Sequence, residues 1–161
     1  SARELLARVE AVLRRSVDRP PEVAGARLGV NLSHSGALGA VAVTAGRPVG
    51  VDVQHLTPAV DPVRMARRYF PPAEAGWVAE VAGAAERLRR FTALWARKEA
   101  CVKASGARLM QGMRLPVREA GLVPGEQGPW LVTDVPVPDG FHGALALRGT
   151  AGFRVRTRWL D

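Results

Sequence analysis

The sequence predicts an α+β domain, with helices packed on a mostly antiparallel sheet. Residues 28–54 read as short strands separated by turns. Residues 61–105 carry the 3.6-residue periodicity of helices. From residue 130 onward strand patterning returns. Helices and strands are thus segregated along the chain rather than alternating, the pattern of an α+β fold.

The elements follow in order. Residues 2–17 read as an amphipathic helix, because Leu5, Leu6, Val9, Val12 and Leu13 recur at helical spacing, and Arg19-Pro20-Pro21 ends it. A strand at Leu28–Leu32 runs into a Ser33-His34-Ser35-Gly36 loop. Leu38–Thr44 is a second strand, and Ala45-Gly46-Arg47-Pro48 a turn. Val49–Gln54 is a third strand, with Val49, Val51 and Val53 on one face and Gly50, Asp52 and Gln54 on the other. Asp61-Pro62 signals a helix start, an N-cap followed by proline at the first helical position. That helix stops at Pro71-Pro72, a second runs to about Val81, and a third from Ala84 to Ser105 ends at Gly106. Trp130–Val135 is a strand, and Ala144–Leu147 forms a hairpin with Phe153–Trp159.

A chain of 161 residues is about one domain, large enough for a core without disulfides. Its single cysteine, Cys101, excludes an internal disulfide and suits a reducing, cytoplasmic compartment. No stretch approaches the ~20 apolar residues of a membrane span, and the start is not a signal peptide. The net charge of +8, from 23 basic and 15 acidic residues, favours anionic partners. Of the 23 cations, 21 are arginine, and the only lysines, Lys98 and Lys103, lie in one segment.

Three segments carry the chemistry. In Val49–Gln54, Asp52 and Gln54 are two apart and share a face, and Gly50 leaves room beside them. An ordinary solvated strand face accounts for this as well, but a carboxylate beside a second oxygen donor is half of a Mg²⁺ site. On the helix from Phe91 to Lys103, residues Trp95, Glu99 and Lys103 form one stripe that is partly apolar. A surface Glu99–Lys103 pair would contribute only ~0.3–0.5 kcal/mol. If the stripe turns inward, Glu99 serves as metal ligand or general base, and Lys103 binds phosphate as a point charge. The Asn31–Gly36 segment is either a common loop or a phosphate-contacting turn using Ser33, His34 and backbone N–H groups.

Taken together, NLSHS, GVDVQ and F-x-x-L-W-A-x-K-E-A-x-x-K-x-x-G resemble, in that order, the 4′-phosphopantetheinyl transferase superfamily, in its surfactin-type group. The resemblance covers residues 19–122 and includes Met65-Ala66-Arg67-Arg68-Tyr69-Phe70. It implies transfer of 4′-phosphopantetheine from coenzyme A to a serine of an apo acyl or peptidyl carrier protein, with Mg²⁺ and release of 3′,5′-ADP, the holo-carrier-protein synthase reaction. It further implies Asp52 and Glu99 as metal ligands, with Gln54 beside them. Ser33, His34, Lys98 and Lys103 become coenzyme-A contacts, and Arg19 approaches the nucleotide. Glu99, Lys103 and His34 are then the catalytic group, with Glu99 taking the serine proton directly or through a water.

Two departures stand out. Gln54 replaces the usual glutamate, which removes a negative charge and should weaken Mg²⁺ binding without ending activity. Some 30 residues precede NLSHS, so residues 1–48 are expected to form a reduced N-terminal lobe and 49–161 a C-terminal lobe. A piece of a larger megasynthase, such as an enediyne-type polyketide synthase, would account for this. The acidic carrier is expected to dock on Arg64–Phe70 with Leu109 and Met110. Neither nucleic acid nor membrane is an expected partner, and the assembly is a monomer or a small homo-oligomer. A nucleic-acid module, carried by Arg154, Arg156 and Arg158, and an impaired relative that only binds carrier or coenzyme A are the competing readings.

Overall fold

Glycine at position 50 decides how the largest helix sits. A Cβ there would come within 2.0 Å of the Ala100 carbonyl oxygen and 2.5 Å of the Ala104 nitrogen. A side chain at 50 would therefore push the helix off the sheet. The computed structural model describes residues 22–23, 26–106, 109–125 and 128–160.

Two antiparallel sheets make the frame. The first has the order β1 (Glu22–Val23), β2 (Ala26–Ser35), β3 (Leu38–Ala45). The second contains β4 (Val49–His55), β5 (Gly121–Val123), β6 (Trp130–Val135) and β7 (Phe141–Arg148), in the order β4-β7-β6-β5. Between β4 and β5 run α1 (Pro62–Tyr69), α2 (Pro72–Ala79), α3 (Ala84–Ser105) and the short α4 (Leu109–Gly112). This is the expected α+β class.

The local signals explain the helix ends. Asp61 caps α1, its Oδ1 accepting the Arg64 N–H at 3.0 Å, and Pro62 opens the first turn. Gly106 ends α3 with φ +66°, a left-handed conformation that glycine adopts without steric cost. α3 has 22 residues. It packs on β4 and β7 through small residues: Gly50, Ala100, Ala104, Ala144 and Ala146. Phe70, at the end of α1, packs on Phe91 and Trp95 of α3, with Phe70 and Phe91 stacked at 5.3 Å between ring centroids. A smaller core of Ala42, Val49, Val51 and Leu147 joins β3 to the other face of β4.

Several expectations need correction. The strand predicted at Leu28–Leu32 continues to Ser35, so Ser33, His34 and Ser35 belong to β2 and only Gly36 and Ala37 make the turn. Phe153–Trp159 is not a strand. β7 is already paired on both sides, to β4 and to β6, so it offers no edge to a hairpin partner. Its hairpin is with β6. The arginines 154, 156 and 158 thus lie on an irregular exposed segment. α2 ends at Ala79, two residues earlier than expected, and β1 and β5 were not anticipated. The predicted helix 2–17 lies outside the described residues, as does Arg19. Among the described residues, no helix is long and apolar enough to cross a membrane.

Candidate active site

Where β2, β4 and α3 meet, a cleft of about 330 Å³ opens, lined by Leu32, Ser33, His34, Asp52, Gln54, Glu99 and Lys103. A larger, mainly apolar cleft of about 410 Å³ lies on the valine face of β4 and holds none of the predicted site residues. Arg154, Arg156 and Arg158 line the larger cleft, but of the two only the smaller carries carboxylates.

Asp52 is its centre. On β4 it alternates with Val51 and Val53, so it faces α3, and it is 2% exposed. Its Oδ1 accepts from Lys103 Nζ at 2.6 Å and from Ser33 Oγ at 2.8 Å. Its Oδ2 accepts from Gln54 Nε2 at 2.8 Å. Lys103 reaches it from one turn beyond Glu99 on α3, and donates also to Ser33 Oγ at 2.9 Å and to the Val51 carbonyl at 3.3 Å. A buried carboxylate with an ammonium and two further donors is fully compensated.

Glu99 differs. Among the described residues it has no hydrogen bond or ion pair, although it lines the same cleft. Burial pushes its carboxyl above the ordinary glutamate range, and the negative charge of Asp52 adds to this, while Lys103 partly opposes it. A carboxyl of raised affinity for protons, facing a solvent-open cleft, can accept a proton or gain a cation.

Among the described residues no group of three His, Cys, Asp or Glu side chains could hold a metal ion unaided. The donor set is two carboxylates, Asp52 and Glu99, and the amide of Gln54. Hard oxygen donors of this number suit Mg²⁺, which usually takes one or two carboxylates and completes its shell with water and substrate phosphate. The lone Glu99 carboxylate is the observation that makes the fit.

One expected cofactor contact falls elsewhere. Lys98 is not in the cleft: it is 0% exposed, its Nζ 2.5 Å from Glu74 Oε2, donating also to the Leu115 carbonyl, and 4.8 Å from the Phe70 ring centroid. Lys98 and Lys103 are five residues apart, about 140° around a helix, so they cannot serve one site. Burial holds the Lys98 ammonium below its usual range, against the pull of Glu74. Ser33 lies at the cleft, but its hydroxyl is bonded to the protein rather than free for phosphate. His34 is exposed at the rim.

The sequence reading missed a neighbouring cluster. His142 pairs in register with Gln54 across β4 and β7, and its Nε2 is 3.1 Å from Asp134 Oδ1. Arg97 grips Asp134 with two bonds of 2.7 and 2.6 Å. Burial disfavours the Asp134 charge, but the bonds from Arg97 and His142 outweigh it and hold the carboxyl well below the usual range. The only signal in the sequence was that Arg97 sits inside the helix motif.

A model of the 4′-phosphopantetheinyl transferase superfamily matches residues 48–135, more than half of the chain. The chain belongs to that superfamily. The matched span holds Asp52, Gln54, Glu99 and Lys103. The chain is similar to a putative 4′-phosphopantetheinyl transferase of Synechocystis, 30% identical over 92 residues, which are 57% of this chain and 37% of that protein. It is also similar to the 4′-phosphopantetheinyl transferase HetI of Nostoc, 30% identical over 125 residues, 74% of this chain and 51% of that protein. The chain thus spans only about a third to a half of these relatives.

Proposed function

We propose that this chain transfers 4′-phosphopantetheine from coenzyme A to a serine of an apo carrier protein, with release of 3′,5′-ADP. The observation that carries the reading is the Glu99 carboxylate, unpaired among the described residues, beside the Asp52–Lys103 pair in one open cleft. Glu99 accepts the proton of the serine Oγ, directly or through a water, and its raised proton affinity suits it to that task. The serine oxygen attacks the β-phosphorus, and the bond to the bridging oxygen breaks so that 3′,5′-ADP leaves. Lys103 places positive charge against the pyrophosphate oxygens, and His34 reaches a phosphate from the rim. Asp52, Glu99 and Gln54 would hold Mg²⁺, which when bound supplies charge neutralisation of the pyrophosphate. Because Gln54 donates to Asp52, it keeps that carboxylate oriented without adding a second negative charge.

The finer assignments belong to the same proposal: a surfactin-type, holo-carrier-protein synthase chemistry, with Arg19 approaching the nucleotide. The change of sheet between Ala45 and Val49 supports a division into a reduced first lobe, 1–48, and a second, 49–161. The cytoplasm, a parent megasynthase of the enediyne type and a monomer or small homo-oligomer complete the reading. The exposed Arg64, Arg67 and Arg68 of α1, with Arg68 over the Tyr69 ring, offer an acidic carrier its docking face. Exposed Met110 lies on α4, the second half of that expected face. The test is incubation with coenzyme A, Mg²⁺ and apo carrier protein, followed by intact mass spectrometry. Gain of one phosphopantetheine on the carrier is the expected result. Binding of carrier and coenzyme A without transfer would favour the impaired relative instead.

A further inference from the structure

The candidate site is divided between two sheets, and side chains rather than a shared ladder join them. Among the described residues β4 is the outermost strand of its sheet, and one of its edges has no backbone partner there. β2 supplies what that edge lacks. The Val51 N–H donates to Asn31 Oδ1 at 3.0 Å, the Val53 N–H to Ser33 Oγ at 3.2 Å, and the His55 N–H to Ser35 Oγ at 2.9 Å. Acceptors and donors are alternate residues of their strands, and each pair is 20 residues apart. The two strands therefore advance in the same direction, with polar side chains standing where a neighbouring strand's carbonyls would be.

We propose that Asn31, Ser33 and Ser35 form a register clamp that seats β2 on the free edge of β4, and that Ser33, its middle rung, is a positioning residue for Asp52 and Lys103 rather than a substrate contact. This rests on the reading of the cleft given above. A serine hydroxyl has one proton to donate and two sites to accept. The proton of Ser33 goes to Asp52 Oδ1, and the hydroxyl accepts from the Val53 N–H and from Lys103 Nζ. Its capacity is filled, it is 5% exposed, and it has no proton for a phosphate oxygen. The same atom thus orients the carboxylate, the ammonium and the edge of β4. A slip of β2 by one residue would bring Leu32 or His34 to the rung, with the loss of three acceptors at once. The clamp also carries His34 to the rim, on the face of β2 opposite Ser33.

The experiment combines amide hydrogen exchange with kinetics, on Asn31→Ala, Ser33→Ala, Ser35→Ala and the conservative Ser33→Thr. Each alanine variant should speed exchange of its own edge amide, Val51, Val53 or His55 respectively, by about fivefold to tenfold relative to the other two. Ser33→Ala should lower kcat about tenfold, while the Kd for 3′,5′-ADP and the KM for coenzyme A change less than about twofold. Ser33→Thr keeps the donor and both acceptors, and should restore kcat and protection. It also carries the test if Ser33→Ala does not fold. Unchanged exchange at all three amides would overturn the clamp. A weakened Kd for 3′,5′-ADP at unchanged kcat would overturn the positioning role, since Ser33 would then be a phosphate contact. A wild-type enzyme without transferase activity would overturn the functional reading and Ser33's positioning role together, while the clamp stands or falls on the exchange rates alone.

Discussion

Lys98 and Lys103 are the only lysines of the chain, they lie on one helix, and they do opposite things. Lys98 is sealed from water and closes a knot of contacts. Glu74 Oε1 accepts the Val117 N–H at 2.6 Å, Glu74 Oε2 faces the Lys98 ammonium, and Lys98 holds the Leu115 carbonyl. This pair pins the loop 115–117 and α2 against α3. Its side of the helix is closed to chemistry: burial pushes the neighbouring Cys101 thiol up to about 12, so it is inert as a nucleophile at neutral pH. Lys103 keeps 28% of its side chain exposed and is paired with Asp52 at the mouth of a cleft, beside the Glu99 carboxylate, which has no partner among the described residues. The same residue type is a strut in one place and a charge offered to substrate in the other. The difference is which side of α3 each occupies, and what is packed there.

The largest expected effect tests the cleft. Glu99→Gln should reduce transfer by about a hundredfold to ten-thousandfold, and Lys103→Met by about a hundredfold or more. Glu99→Gln should melt near the wild-type temperature, whereas Lys103→Met leaves the buried Asp52 carboxylate without its cation and should melt lower, so its rate is compared per folded molecule. Steady-state transfer to apo carrier, with thermal melting alongside, checks this. Full activity in Glu99→Gln would remove both its roles.

Next comes the closed side. Lys98→Met leaves the Glu74 carboxylate, 2% exposed, without its cation. Breaking a buried pair from one end costs about 3–5 kcal/mol. The double variant Lys98→Met/Glu74→Leu should recover much of that loss, although the Val117 N–H keeps no acceptor. Urea unfolding measures the stability, and activity per folded molecule should stay within about twofold of wild type if Lys98 is only a strut. A selective loss of coenzyme-A affinity in Lys98→Met would erase the contrast between the two lysines.

Smaller effects sharpen the picture of what the cleft faces. Charge reversal of Arg67 and Arg68 on α1 should raise the KM for the carrier about tenfold and leave the KM for coenzyme A unchanged. Equal loss of both affinities would point to a global change in the fold. The mildest effect is expected for Gln54→Glu, which should keep or raise transfer by a few-fold and lower the Mg²⁺ concentration needed for half-maximal rate, because it adds a negative charge beside Asp52. A Mg²⁺ titration of the rate reads it directly.

Much of the fold was determined by the sequence alone, where the signal is local. Alternating valines from Val49 to Val53, the Asp61-Pro62 cap and Gly106 act within a turn or a strand of themselves, and β4, α1 and α3 begin or end accordingly. That Asp52 and Gln54 share one strand face, and Glu99 and Lys103 one helix stripe, was legible too, because alternation and helical spacing each fix a direction; that the two meet in one cleft was implied only by the family resemblance. What the tertiary structure decided is the partner of each polar group. Ser33 bonds to Asp52 and Val53 across 19 and 20 residues, and to Lys103 across 70. Lys98 meets a glutamate from another helix. Phe153–Trp159 has the alternation of a strand, yet the strand it was expected to join had both edges taken. Periodicity states which way a side chain points, but burial and pairing depend on what the rest of the chain has brought there.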